Sequence, residues 1–379
     1  MLFPIPIVTL FWKDQIGMSL ADIMLLQAVF GLAVVVFEFP SGYVADRVGY
    51  RRSLFIGALF WSAGWGIYSF ASTFAGVALA EVVLGAGSAF FSGADRALLW
   101  VSLDAAGRGG QYTRWDGRVR AASQTGEAAS AAVGGWLYSL SPRLPIWLQV
   151  PVALLTLGSA LALSEVPRPV LPEHQSHLGR AFHVVRFTLW RHRRLQAAMG
   201  LNVALGISTF VMVWLIQPYA QACGIPPAWF GPLWAAAHAW LAAVSLASGR
   251  VVGAVGVRPA LLVSCLLVPL GYIGLAAGSA SAWAVAFYLC FMTIRGLQGP
   301  ILSTVMQEDA PDDDRASVLS LAALLFRLAF VIAGPPVGVL VDRAGMEAAL
   351  AVLAAVFGAA ALGAYLAFAR AHRGALRRA

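Results

Sequence analysis

Charged residues are scarce in this chain. Aspartate, glutamate, lysine and arginine make up 12% of its 379 residues, whereas hydrophobic residues make up 60% and the mean hydropathy is +0.76. A soluble domain carries about 25% charged residues, so the composition excludes an ordinary soluble domain. Most segments stay apolar for longer than the ~20 residues needed to cross a bilayer, which indicates a polytopic α-helical membrane protein.

Lysine is almost absent, because Lys13 is the only one. The net charge of +8 comes from arginines that lie between the hydrophobic segments. This distribution is typical of the cytoplasmic loops of membrane proteins. It does not indicate a nucleic-acid-binding surface, and we expect no nucleic acid partner.

Sequence motifs for catalysis and for metal or cofactor binding are also missing. The three cysteines lie in or beside apolar segments without CxxC spacing, so neither a disulfide framework nor a zinc site is indicated. HExxH, a nucleophile elbow and a P-loop do not occur, and protease, lipase and ATP-driven pump functions lack support. The acidic residues 308–314 have no second acidic cluster, so a solvated turn fits them better than a Mg²⁺-diphosphate site. We therefore expect no catalytic residue, no metal and no cofactor.

Hydropathy divides the chain into a series of predicted spans. Residues 1–12 make only about 18 Å of helix, which is too short for a bilayer of about 30 Å. We expect this first span to be truncated, or else to be a shallow re-entrant piece. The full spans are predicted near residues 20–42, 53–72, 74–101, 117–140, 142–164, 196–221, 227–249, 259–278, 281–306, 316–341 and 346–370.

Counting the incomplete span, the spans divide as six plus six. The predicted domains are residues 1–164, a cytoplasmic linker at 165–195, residues 196–370 and a basic tail at 371–379. Within the linker, residues 180–194 form a basic amphipathic stretch suited to the membrane surface.

One short segment, residues 41–52, returns 207 positions later in the chain. The residues with an identical counterpart at that offset are Ser41, Gly42, Val44, Val48, Gly49 and Arg51. The first copy is predicted to be a charged loop between two spans. A repeated loop between hydrophobic spans indicates two copies of one membrane-embedded unit, a construction typical of transporters whose halves move about a central site.

The arginines determine the predicted orientation. With both termini in the cytoplasm, the cytoplasmic loops and tail hold twenty arginines, whereas the outer side holds only Lys13, Arg143 and Arg343. Because positive residues accumulate on the cytoplasmic side, this asymmetry predicts cytoplasmic N- and C-termini.

The segment from Gly42 to Arg52 resembles the signature loop of the major facilitator superfamily, G-x-x-x-D-R-x-G-R-R/K, with Tyr50 inserted at a variable position. With the predicted spans and the central linker, the resemblance covers essentially the whole chain. It implies an all-α membrane fold of two six-helix bundles that works by alternating access. It also implies that the loop is a latch holding the two halves in the outward-facing state. The candidate latch residues are Gly42, Asp46, Arg47, Gly49, Arg51, Arg52 and Asp95.

A simple positive anchor on the cytoplasmic side is the alternative to a latch. In a latch the arginines would pair with Asp95 or Asp104, whereas an anchor leaves Asp46 unexplained. The second copy of the segment has Gly253 and Ala254 in place of the Asp–Arg pair, so the latch is expected to be asymmetric.

Ionisable residues inside predicted spans are costly and indicate function. Arg295 begins an R-x-x-Q-G sequence that resembles a pattern found on the fourth span of drug exporters of the superfamily. At the matching place on the predicted fourth span this chain has Glu81. The resemblance suggests that Glu81 and Arg295 face each other across a central cavity. Alternatively, Glu81 lies near enough to the outer surface to reach water.

Glu127 is the first candidate for a proton carrier, because burial of a carboxylate favours its protonated form. A static ion pair with Arg327 or Arg295 is the alternative. Asn202 is either an interhelical hydrogen bond or a ligand contact. The complete set of candidates for proton coupling or the substrate cavity is Glu81, Glu127, Asn202, Arg295, Gln298 and Arg327.

These features predict a proton-coupled secondary transporter of the bacterial inner membrane, a monomer that exports a small amphipathic molecule. A metabolite importer or facilitator on the same fold is the main alternative. A membrane-embedded enzyme and a non-transporting receptor are weaker alternatives.

One feature departs from the resemblance, because drug–proton antiporters carry a Gly-Pro pair in the fifth span. This chain keeps Gly134 and Gly135 there without the proline.

Overall fold

The computed structural model describes residues 2–166, 188, 192–278, 281–311 and 315–376. Their α-helices are α1 (Val8–Leu10), α2 (Leu20–Arg47), α3 (Tyr50–Phe70), α4 (Phe74–Phe91), α5 (Ala94–Ala105), α6 (Tyr112–Leu140), α7 (Leu144–Ala162), α8 (Arg193–Ala222), α9 (Phe230–Val255), α10 (Val257–Ala277), α11 (Tyr288–Asp309), α12 (Arg315–Ala344) and α13 (Met346–Leu376). Short π- or 3₁₀-helical turns occur at Phe11–Gln15, Gly109–Gln111, Pro227–Trp229 and Ala282–Phe287. The described residues contain no β-strand.

Ten helical segments among the described residues are long and apolar enough to cross a membrane, as expected for a multi-pass membrane protein. Helix α1 is too short to count among them. Helix α6 has 29 residues but is not one of the ten, because charged residues occupy its first half and Ser123, Gln124 and Glu127 make the remainder too polar. The predicted all-helical membrane fold is confirmed, and the predicted span at 117–140 is its least apolar member.

The connection between α2 and α3 is tighter than the sequence suggests. The predicted loop at residues 41–52 is wrong, because α2 continues to Arg47 and α3 begins at Tyr50. Charged residues end the apolar run, but they do not end the helix. Arg47 in fact lies in the last turn of α2, where a cation is favourable beside the helix dipole. The chain turns at Gly49, whose φ of 125° is one that glycine adopts readily.

The 207-residue repeat is visible in the backbone. Gly256, the counterpart of Gly49, has a φ of 85°, and α10 begins immediately after it. Both copies therefore contain the same helix–glycine–helix turn.

The predicted fourth span is divided into two helices. Helix α4 ends at Phe91 and α5 begins at Ala94. Between them Gly93 has a φ of 80°, a value that side chains other than glycine's rarely allow. Helix α5 then packs against α3 through Leu98 and Leu54.

The chain forms two compact units. The first comprises Met1–Leu171 with Pro226–Ala235, and the second comprises Pro172–Ile225 with Ala236–Ala379. Residues 167–187, 189–191, 312–314 and 377–379 lie outside the described residues. They include most of the predicted linker, most of its amphipathic stretch and the end of the predicted tail.

In the first unit α4 packs against α2 and α3. Glycine permits the close approach: a Cβ added at Gly57 would lie 3.1 Å from the carbonyl oxygen of Gly87 on α4. The N-terminal segment belongs to the interior of the same unit. Its Leu2 amide donates to Ser130 Oγ of α6 (3.0 Å), and its Phe3 amide donates to Gln149 Oε1 of α7 (3.2 Å).

In the second unit α8 packs against α11 and α13, and α10 packs against α13. Two tyrosines tie α8 to α10. The hydroxyl of Tyr272 donates to the carbonyl oxygen of Ser208, and that of Tyr219 donates to the carbonyl oxygen of Leu275. Each donor–acceptor distance is 2.7 Å. These bonds fix the register of α8, the helix that carries Asn202.

Candidate functional site

Glu81 lies in a buried hydrogen-bonded network in the first unit. Thr73 caps α4 by accepting a hydrogen bond from the Gly76 amide, and Glu81 lies two turns into that helix. Its side chain is hydrogen-bonded to Tyr68 of α3. The Tyr68 hydroxyl also accepts a hydrogen bond from Trp12 Nε1, in the π-helical turn after α1. Glu81 is 7% exposed and both aromatic residues are 1% exposed.

Arg143 does not bind Glu81 but caps the C-terminus of α3. Its Nη1 and Nη2 atoms donate to the carbonyl oxygens of Ser69 and Ala71, respectively, each at a distance of 3.1 Å. These carbonyl groups lie at the C-terminus of α3, where a cation is favourable. Among the residues that the structure describes, no basic side chain forms an ion pair with Glu81. Tyr68 is therefore the polar side chain that holds its carboxyl group.

Glu127 has different surroundings. It is half-buried on α6, where Ser123, Gln124 and Thr125 are exposed. Its backbone oxygen accepts a hydrogen bond from Ser130 Oγ (3.0 Å). Of the two carboxylates predicted for proton coupling in this unit, Glu81 is thus the more completely buried.

The second unit brings together Gln298 of α11 and Asn202 of α8. Gln298 Nε2 donates to the backbone oxygen of Asn202 (3.0 Å) and to its Oδ1 atom (3.1 Å). Arg295 lies three residues before Gln298 on α11 and is half-buried. Arg327 is half-buried on α12, also in this unit.

An aromatic cluster lies beside this polar pair. The ring of Phe210 packs edge-on against those of Trp214, Phe326 and Phe330, with centroid distances of 5.8, 5.5 and 4.8 Å. A Cβ added at Gly206 would lie 2.9 Å from Phe326 Cδ2 and 3.7 Å from Gln298 Nε2. Gly206 therefore lets the aromatic cluster and the amide pair adjoin each other.

Comparison with known proteins agrees with this architecture. A family model described as the Major Facilitator Superfamily matches residues 2–334 of the chain. The chain belongs to the Major Facilitator Superfamily.

Solved structures of similar fold include the nucleoside transporter NupG, with a TM-score of 0.79 and 13% identity over 96% of this chain and 94% of that one. A POT family transporter in complex with a thioalcohol-conjugated peptide has a TM-score of 0.75 and 13% identity, covering 97% and 93%. The peptide transporter POT in complex with sulfate has a TM-score of 0.73 and 15% identity, covering 98% and 92%. No curated protein sequence matches the chain. Membership of the superfamily indicates a transporter, and the neighbours share its fold.

The signature segment of the superfamily packs against the C-terminal end of α7 in the first unit. Arg51 Nη2 donates to the carbonyl oxygen of Leu161 (3.0 Å). The Glu165 carboxylate lies against Gly49, at the N-terminus of α3, where the helix dipole favours an anion. Arg47 lies over the ring of Tyr43 at 6.0 Å.

Within the described residues, the ion pairs expected from this segment to Asp95 or Asp104 are not formed. Asp95 Oδ1 accepts a hydrogen bond from the amide of Arg96 (2.7 Å). In the described part of the chain no ion pair joins Arg47, Arg51 or Arg52 to Asp95 or Asp104. Gly42, Asp46 and Arg52 are exposed near the end of α2 and the start of α3.

Part of the predicted solvated acidic turn is helical and paired. Glu308 and Asp309 belong to the last turn of α11, and both bind Arg194 at the start of α8. Arg194 Nη1 lies 2.8 Å from Asp309 Oδ1, and Nη2 lies 3.2 Å from Glu308 Oε2. These ion pairs tie α8 to α11 in the second unit.

Several residues that complete these sites were not predicted from the sequence. Trp12 and Tyr68 supply the hydrogen bonds beside Glu81, and Glu165 lies at the N-terminus of α3. Each lies in a different segment from its partner, so local spacing gave no indication of the contact. The polar hydroxyl of Tyr68, inside a predicted span, was the one sign available.

Proposed function

We propose that this protein is a secondary transporter that exchanges a small amphipathic molecule for protons and exports it by alternating access. The environment of Glu81 is the main support for this proposal. Its carboxyl group is buried in a transmembrane helix, is hydrogen-bonded by Tyr68 and has no basic partner within the described residues. Such a group gains little from being charged and can take up a proton during the cycle.

Two states of Glu81 follow from this arrangement. When the carboxylate is charged, the Tyr68 hydroxyl donates to it. When it is protonated, the unit carries no net charge at this position, and the buried group is less costly to keep away from water. The proton thus supplies the energetic difference that a coupled cycle requires. Glu127, the first candidate from the sequence, becomes the second candidate for this role because it is only half-buried.

We place the protein in the bacterial inner membrane, as a monomer with both termini in the cytoplasm. The excess of arginine in the loops and tail supports this orientation. The latch residues Gly42, Asp46, Arg47, Gly49, Arg51, Arg52 and Asp95 would then lie on the cytoplasmic side. Alternating access requires the two units to change their relative orientation, which this segment would control.

The test is proton flux in inside-out vesicles with an acidified lumen. Candidate dyes, antibiotics and organic acids are added one at a time while a probe reports luminal pH. Antiport predicts substrate-dependent loss of protons from the lumen, which vesicles without the protein do not show. Protease removal of a C-terminal tag from outside confirms that the vesicles have the predicted orientation.

Import or facilitated diffusion of a metabolite is the second candidate function. A metabolite as the substrate is in keeping with the names of the structural neighbours, a nucleoside transporter and a peptide transporter. Substrate uptake that proceeds at the same rate with and without a pH gradient would support the facilitator and overturn the antiporter.

A further inference from the structure

Three polar residues lie on one side of α11 in the second unit. Tyr288, Arg295 and Gln298 are separated by seven and three residues, spacings that bring side chains to the same side of a helix. Tyr288 is 5% exposed and Gln298 is 8% exposed. The buried Tyr288 hydroxyl and Gln298 Oε1 have no hydrogen-bond partner among the described residues. Buried polar atoms are costly without partners, so two vacant bonding positions on one side of a helix point to a ligand.

The orientation of the Gln298 amide is fixed by its neighbour. Its Nε2 atom faces the backbone oxygen of Asn202, which can only accept a hydrogen bond. The carbonyl oxygen, Oε1, must therefore point away from Asn202. A group that satisfies it has to donate a proton, as an N–H or O–H group of a ligand does.

Arg295, which lies between Tyr288 and Gln298 in the sequence of α11, adds a positive charge on the same side of the helix. No carboxylate lies within 4.0 Å of its guanidinium in the described part of the chain. A guanidinium inside a span is costly unless it is paired, and its flat fork suits a carboxylate or phosphate.

The fourth component is apolar. Phe326 lies beside the Gln298–Asn202 pair across Gly206, and it packs against Phe210 of the aromatic cluster. Both Phe210 and Phe326 are half-buried, whereas the rest of that cluster is buried. A planar ring can pack against these two side chains in an offset or edge-on arrangement.

We propose that this side of α11 binds an aromatic organic acid that carries a hydrogen-bond donor. Its acidic group pairs with Arg295 and accepts a hydrogen bond from Tyr288. Its N–H or O–H group donates to Gln298 Oε1, and its ring packs against Phe326. The inference rests on the transport function proposed above, since it names the class of molecule that is carried.

The test measures binding to the purified protein in nanodiscs by calorimetry, without any transport step. The probes are 4-hydroxybenzoate and 4-aminobenzoate, 4-hydroxybenzamide, which lacks the charge, and benzoate, which lacks the donor. We expect each acid with a donor to bind about tenfold or more tightly than the amide, because a charged hydrogen bond is lost. Benzoate should also bind more weakly, since Oε1 then has no partner.

The matched variants are Arg295→Gln and Arg250→Gln. Arg250 is exposed on α9 of the same unit, so its replacement should leave binding unchanged. Arg295→Gln should remove the preference for the acid over the amide while keeping the thermal unfolding midpoint. Equal binding of acid and amide by the wild type, no binding of any acid, or an unchanged preference in Arg295→Gln would each overturn the proposal. Binding of the acids without proton flux would instead overturn the antiport and leave the substrate class in place.

Discussion

The two candidate carboxylates of the first unit differ in burial and in partners. Glu81 is buried beside Tyr68 and Trp12, whereas Glu127 is half-buried on a helix with exposed polar neighbours. In a buried carboxyl group the protonated form is favoured, because water cannot stabilise the charged form. A half-exposed one keeps part of its hydration. This difference makes the two residues distinguishable by a single kind of substitution.

We expect Glu81→Gln to abolish substrate-dependent proton flux, because glutamine cannot bind and release a proton. Exchange of labelled for unlabelled substrate should continue, since the amide retains the shape of the side chain and can accept from Tyr68. Glu127→Gln is the matched control and should keep proton flux near the wild-type rate. Flux that persists in Glu81→Gln but is lost in Glu127→Gln would assign the proton to Glu127.

The sequence identifies some of the site residues but not the contacts that they make. Position and polarity alone mark Glu81, Arg295 and Gln298 as candidates, because polar groups inside apolar spans are rare. Their partners could not be predicted. The bonds from Tyr68 to Glu81 and from Gln298 to Asn202 join helices that are distant in sequence. Such contacts depend on helix rotation and register, which no local pattern determines.

Among the helices, α6 makes two close approaches through adjacent glycines. A Cβ on Gly134 would collide with the carbonyl oxygen of Phe3 in the N-terminal segment. One on Gly135 would collide with the carbonyl oxygen of Pro227, in the residues 226–235 that belong to the first unit. The partner glycine, Gly231, is itself pressed against carbonyl oxygens of α6. The pair retained in the sequence without its proline is thus explained by packing.

We expect Gly231→Ala to destabilise the protein, because its methyl group would meet the backbone oxygens of Ala131 and Ala132. Overpacking of this kind costs typically about 1–3 kcal/mol. The thermal unfolding midpoint in detergent should fall, and the transport rate with it. Gly249→Ala is the matched control, since nothing lies within 4 Å of a Cβ at that position on α9. Equal midpoints for the two variants would contradict the close crossing.

The helix boundaries illustrate the same limit on prediction. Most spans were located to within a few residues from hydropathy, because length and apolar composition suffice. The residues from Ser41 to Arg47 were not, since polar side chains near water are compatible with a helix that simply extends beyond the bilayer. Backbone conformation at Gly49 and Gly93 decides where the chain turns.

For the whole molecule, the repeat is conserved in backbone and divergent in charge. Gly49 and Gly256 make the same turn, yet the first copy has Asp46 and Arg47 where the second has Gly253 and Ala254. The turn therefore belongs to the fold of each unit. The Asp46–Arg47 pair belongs to the first copy alone, as expected for the asymmetric latch proposed above.

We expect Asp46→Asn to lower the maximal transport rate while leaving the Michaelis constant and the ranking of substrates unchanged. The carboxylate is exposed at the end of α2 and is not one of the buried groups proposed to bind substrate, so its loss should affect the change between states only. Asp46→Glu retains the charge and should retain most of the rate. Initial rates over a range of substrate concentrations separate the two parameters. An altered substrate ranking at a normal rate would contradict the latch, because a residue that controls alternation has no means of choosing the substrate.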